Sequence, residues 1–155
     1  CAAVQNNDMV AAYANDNWSQ PNLQPAREDI NLSLQNVTVD TFVKNLQENI
    51  TTDSLDFDIQ VLKGDSSGLG KKDFKHDVNI IFYDGDNSEH KMREFFINML
   101  DFTEDVFTLV VDDANIQENV AITKRFIDAM GLKVLYEREL LNDQKIQRCG
   151  GMVYT

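Results

Sequence analysis

The chain has 155 residues and 43% hydrophobic content, ordinary for a globular protein and enough to bury a core within one compact domain, residues 1–155. Its formal net charge of -12 argues against a nucleic-acid backbone or an anionic membrane surface as the main partner, because both would repel it. No apolar run approaches the roughly 20 residues that cross a bilayer, and no signal peptide is visible, so a cytoplasmic setting is expected.

The two cysteines, Cys1 and Cys149, are too few for a disulfide scaffold and too far apart for a zinc knuckle. A reducing compartment is the default reading, with a bridge between them left open. The chain starts at Cys1 rather than Met, which fits a processed protein, including an acylated lipoprotein, or a piece of a longer reading frame.

Short apolar runs alternate with helical patterns, the signature of an α/β fold. The first run, Met9 to Ala14, reads as a buried strand stopped by Asn15-Asp16-Asn17-Trp18. A proline-bearing loop follows over 19–25, then a mixed helical pattern over 26–35. In 39–50, Phe42, Val43, Leu46 and Ile50 share one helical face, and Thr38 or Asp40 is placed to cap it. Phe57, Ile59 and Val61 alternate with Asp58 and Gln60, which predicts a strand over 57–62 ending in a Gly64-Asp65-Ser66 turn.

Residues 78–83 predict a strong strand stopped by Asp84-Gly85-Asp86-Asn87-Ser88. The next helix, 88–100, places Met92, Phe95, Phe96 and Met99 on one face, with Ser88 as its cap and Glu89 favourable in its first turn. A buried strand over 107–111 ends at Asp112-Asp113, and a helix over 117–130 stops at Gly131. Residues 133–141 and 151–154 predict a closing antiparallel pair.

Each buried strand therefore ends in acid: Asp16, Asp65, Asp84, then Asp112 with Asp113. Open α/β sheets bind ligands outside the carboxyl ends of their strands, so these carboxylates line one rim. Taken singly, each is also an ordinary turn former.

The ordered set resembles class I S-adenosylmethionine-dependent methyltransferases. Asp84-Gly85-Asp86-Asn87-Ser88, then Leu109-Val110-Val111-Asp112-Asp113, then 132–139 are similar to successive strand ends and a late strand of that fold. Ala14-Asn15-Asp16-Asn17-Trp18-Ser19 and Gly64-Asp65-Ser66 are similar to two earlier ones. The resemblance implies a Rossmann-like, mostly parallel sheet with helices on both faces and a C-terminal antiparallel strand pair. Asn87 stands where the family usually has His. The family's first, central strand and its glycine-rich loop have no counterpart here, so an N-terminally truncated domain is expected. Two repairs of the open sheet follow: the strands ending at Asp16 and Asp84 pair directly, or a second copy covers the gap as a homodimer.

The resemblance also implies roles. Asp16 accepts hydrogen bonds from both ribose hydroxyls, since a carboxylate offers two acceptor oxygens and no donor. Asn17 and Trp18 flank the ribose and adenine, although Trp18 reads equally as a core aromatic. Asp65 and Ser66 sit by the adenine. Asp84 lies below the methionine end. Asp84, Asp112 and Asp113 form a candidate Mg²⁺ or Ca²⁺ site. His90 is a candidate base, weighed against a solvated helix position. The expected activity is methyl transfer from S-adenosylmethionine to a small acceptor, an oxygen first. The alternatives are a non-catalytic nucleotide-binding or structural remnant of the fold, and a metal-dependent sugar or nucleotide transferase.

Overall fold

The computed structural model describes residues 9–16, 39–49, 56–141 and 150–155. The chain divides into two compact units, Cys1–Asp65 and Ser66–Thr155.

In the first unit, strand β1 (Met9–Asp16) and strand β2 (Asp56–Lys63) form a two-stranded parallel sheet, with helix α1 (Val39–Asn49) between them in sequence. The register runs without a break from Met9 opposite Asp56 to Asp16 opposite Lys63. Parallel strands need a crossover, and α1 lies in that connection with Asp40 in its first turn. β1 runs two residues past the expected stop. Asn15 holds it there by donating to the carbonyls of Leu62 and Gly64, both at 3.1 Å. The Gly64 amide also donates to the Asp16 carbonyl at 3.1 Å, and Gly64 has φ +141, a conformation suited to glycine. The helical pattern over 26–35 lies outside the described residues.

The second unit is built on strand β3 (Val78–Tyr83), helix α2 (Glu89–Met99), strand β4 (Thr103–Val111), helix α3 (Gln117–Ala129), strand β5 (Glu137–Leu141) and strand β6 (Gly150–Tyr154). Its four-stranded sheet has the order β3-β4-β6-β5. β3 and β4 are parallel, while β6 runs antiparallel to both β4 and β5. The molecule is therefore a mixed α/β fold with parallel strand pairs and the expected C-terminal antiparallel pair. Within the second unit, β3 lies at one edge of the four-stranded sheet.

Period-2 alternation aims Ile81 and Tyr83 of β3, Leu109 and Val111 of β4, and Met152 and Tyr154 of β6 into one core. Met92, Phe95, Phe96 and Met99 of α2 meet them, as their helical spacing requires, together with Ile122, Phe126 and Ile127 of α3. Phe96 lies between Tyr83 and Phe126, with ring centroids 5.4 and 5.2 Å away. Each such fully buried apolar side chain contributes about 1.5–3 kcal/mol.

Other boundaries in the second unit also differ from the sequence pattern. β4 begins four residues early, at Thr103, because its polar start pairs with Val78 before an irregularity; Ile80 then faces Thr108. The last helix ends at Ala129, with Gly131 at φ +65 just beyond it. The strand expected over 133–141 begins only at Glu137, since the Leu135 and Tyr136 amides donate to the Thr155 carbonyl beyond the end of β6. Among the described residues, no helix is long and apolar enough to cross a membrane.

Candidate functional site

Parallel β3 and β4 deliver their acidic ends to the same edge of the sheet. The Asp112 amide donates to the Tyr83 carbonyl at 2.9 Å, carrying the ladder one step past β4 and setting Asp112 beside the residue that precedes Asp84. Asp113 follows at φ 52, a left-handed conformation that Asp tolerates better than most residues. The chain then turns into α3: the Ala114 amide donates to Gly150 and the Ile116 amide to Asp113, each at 2.9 Å.

The loop after β3 is fixed from both sides. The Tyr83 hydroxyl donates to the Asp86 carbonyl at 2.8 Å. The Asp86 Oδ1 accepts the Ser88 amide at 2.8 Å, in an Asx-type turn. Asn87 donates from Nδ2 to Asp113 Oδ2 at 3.0 Å, joining this loop to the one after β4. Ser88 is the N-cap residue of α2, as its position suggested, but its side chain makes no capping bond. The Asp86 carboxylate engages the Ser88 amide instead.

Asp84, Asp112 and Asp113 thus share one edge of the second unit. Burial holds the Asp84 carboxyl above the usual carboxylate range, and the negative charges of Asp112 and then Asp113 push it further in the same direction. The cluster is short of positive charge and suits a cationic ligand group. Among the described residues, no three His, Cys, Asp or Glu side chains are grouped so as to hold a metal ion. Asp113 instead engages Asn87. The divalent cation expected at Asp84, Asp112 and Asp113 is therefore not supported.

In the first unit, Asp16 closes β1 with an exposed side chain. Its backbone is fixed by the Gly64 amide, and its neighbour Asn15 by two carbonyls of β2. A carboxylate held at a strand tip by its own backbone has the chemistry to accept from a vicinal diol. Asp65 is exposed just after the Gly64 turn, and half-buried Ser66 opens the short 3₁₀ turn Ser66–Gly68. Asn17 and Trp18 lie outside the described residues. His90 is exposed on α2, with Nε2 3.2 Å from Glu94 on the next turn, an ordinary solvated helix pair.

Two residues that organise the edge were not singled out in the sequence. Tyr83 is only 4% exposed and ties the Asp84 loop through its hydroxyl. Asn119 is only 1% exposed and donates to the Asp113 carbonyl at 3.3 Å, while its own carbonyl accepts from Thr123 at 2.9 Å. A signal for Asn119 exists: it is a polar residue at the apolar-face spacing of Ile122 and Phe126.

No family model matches the chain, and no curated protein matches it. Among solved structures, the rRNA methylase from Streptococcus thermophilus aligns over 96% of this chain and 87% of its own, with TM-score 0.50 and 12% identity. The N-methyltransferase NodS from Bradyrhizobium japonicum WM9 aligns over 93% of this chain and 84% of its own, with TM-score 0.51 and 10% identity. A candidate O-methyltransferase from Klebsiella pneumoniae aligns over 76% of this chain with TM-score 0.46 and 16% identity, and the chain spans 56% of that protein. The chain has a class I methyltransferase fold.

Proposed function

We propose that the chain binds S-adenosylmethionine and takes part in methyl transfer to a small acceptor, with an oxygen as the receiving atom. The observation that carries this reading is the set of coupled carboxylates at the carboxyl ends of parallel β3 and β4, within a methyltransferase fold. S-adenosylmethionine, when bound, supplies a methyl group already activated on a sulfonium. The residues' work is then to bind and align.

Each role follows from charge and donor count. Asp16 accepts from the two ribose hydroxyls. Asp65 and Ser66 contact the adenine, where an acidic side chain accepts from the exocyclic amine. Asp84 sets a negative charge near the cationic methionine end, and Asp112 and Asp113 deepen the negative potential there. Asn87 holds Asp113 in place rather than acting as a base, since its amide has no proton-accepting role at neutral pH.

Calorimetric titration with S-adenosylhomocysteine tests the proposal. Binding to the chain is expected, with Asp16→Ala weakening it by about tenfold or more through the loss of two charge-assisted hydrogen bonds. Absence of binding to the unsubstituted chain rejects the proposal. Equal binding by Asp16→Ala rejects the ribose role.

A further inference from the structure

We infer that Asn119 is a positioning residue for the acidic edge: it holds Asp113 in its left-handed conformation, so that Asp112 and Asp113 keep a fixed negative charge toward the sulfonium of S-adenosylmethionine. The inference rests on the methyl-transfer reading proposed above and adds to it a buried residue that acts through another.

Asn119 lies in the first turn of α3, at the spacing of Ile122 and Phe126, which fill the core. It is only 1% exposed. An apolar side chain would suit such a position better, because a buried amide must find partners to offset its desolvation. Asn119 directs its Nδ2 to the Asp113 carbonyl, 3.3 Å away. The same carbonyl accepts the Ile116 amide at 2.9 Å. Ile116, the N-cap of α3, makes no side-chain capping bond, and Asn119 ties the helix start to the turn instead.

The backbone held there is strained. Among the described residues, Asp113 is the only non-glycine with positive φ, at 52. Such a conformation persists where the surroundings over-determine it, and it collects at functional sites. Asp113 is held at its carbonyl by Ile116 and Asn119, and at its Oδ2 by Asn87 at 3.0 Å. Asp112 is fixed one residue earlier, its amide donating to the Tyr83 carbonyl at 2.9 Å. The charges of both acids reach Asp84 at the start of the loop after β3. A neutral side chain inside the core thus sets where two charges stand at the edge.

Calorimetric titration of the full chain with S-adenosylmethionine and with S-adenosylhomocysteine, in the parent and in Asn119→Leu, tests the role. Leucine nearly keeps the volume and removes the donor. The expected result is a fall of about threefold in the ratio of S-adenosylmethionine to S-adenosylhomocysteine affinity, the scale of one partly exposed charge, with S-adenosylhomocysteine binding kept. Equal weakening of both ligands overturns the role, since a general loosening of the fold gives that result. An unchanged affinity for both also overturns it and leaves the methyl-transfer reading standing. Absence of binding by the parent overturns the methyl-transfer reading and this role with it. A cycle of Asn119→Leu with Asp113→Gly, followed by urea unfolding, needs no ligand. Glycine adopts positive φ without support, so Asn119→Leu is expected to cost less in the Asp113→Gly background, and strictly additive losses overturn the role. If Asn119→Leu does not fold, Asn119→Ala takes its place in both measurements.

Discussion

Asn87 donates its side-chain amide to the Asp113 carboxylate at 3.0 Å, joining the loop after β3 to the loop after β4. The bond spans 26 residues of sequence and sits at the edge where three carboxylates repel one another. Removing the donor leaves Asp113 without this partner. Asn87→Ala is expected to lower stability by about 1 kcal/mol, the usual net worth of such a bond. Asn87→Asp is expected to cost more, since it adds a fourth negative charge. Urea unfolding of Asn87→Ala, Asp113→Asn and the double variant measures the coupling. Strictly additive losses would show that the bond does not hold the loops together.

Asp84 should make stability depend on pH in a stated direction. Its carboxyl is held above the ordinary value of 3.8 by burial first, then by Asp112 and Asp113. The folded chain therefore prefers the protonated form. Its stabilising contribution is full below pH 3.8 and is lost as pH rises through the raised folded value. At pH 7 the ionised carboxylate opposes folding, so Asp84→Asn is expected to raise Tm, by an amount that solvent screening at this exposed position keeps small. At pH 3 the two proteins should melt together. The same substitution should weaken S-adenosylmethionine, with its sulfonium charge, more than S-adenosylhomocysteine, which separates a binding charge from a structural one. Thermal melts at the two pH values check the sign, and a lower Tm for Asp84→Asn at pH 7 would contradict it.

Gly85 has a packing reason to be glycine. A Cβ built there would lie 2.9 Å from Cζ of Tyr83 and 3.0 Å from its hydroxyl oxygen. That ring cannot swing away freely, because it is buried against Phe95 and Phe96 and its hydroxyl holds the Asp86 carbonyl. Gly85→Ala should cost about 1–3 kcal/mol, as overpacking does. Gly68→Ala, with nothing within 4 Å of the added carbon, is the matched control and should be nearly neutral. Chemical denaturation of both variants makes the comparison, and equal midpoints would remove the steric account.

Much of the second unit was legible because its apolar periods are strong. Met92, Phe95, Phe96 and Met99 lie on the buried face that their spacing predicts, and β3 has the limits read from Val78 to Tyr83. The early start of β4 was not legible, since Thr103-Glu104-Asp105 carries no apolar alternation and is fixed only by pairing with β3. The late start of β5 escaped for the reverse reason: Val134-Leu135-Tyr136 reads as strand, yet its backbone bonds go to Thr155. At the candidate site, strand-terminal acids gave away the edge. The sequence does not reveal that Asn87 engages Asp113, because a side-chain bond across 26 residues leaves no local pattern.

Tyr154 makes stability depend on alkaline pH. Burial, then the charges of Glu137 and Glu139, push its hydroxyl from 10.0 up to about 12. A raised folded value means that the unfolded chain ionises first. Stability from this group is therefore full below pH 10.0 and falls as pH rises toward and through about 12. Tyr154→Phe removes the titration and also an unpartnered hydroxyl, whose burial costs about 1–3 kcal/mol. The variant should equal or exceed the parent in stability at pH 7, and its advantage should widen above pH 10. Urea midpoints at pH 7, 10 and 11 measure both effects. A parent that stays ahead of Tyr154→Phe throughout would mean that the hydroxyl has a partner in solution, whereas a gap that opens only above pH 10 would assign the alkaline loss to ionisation alone.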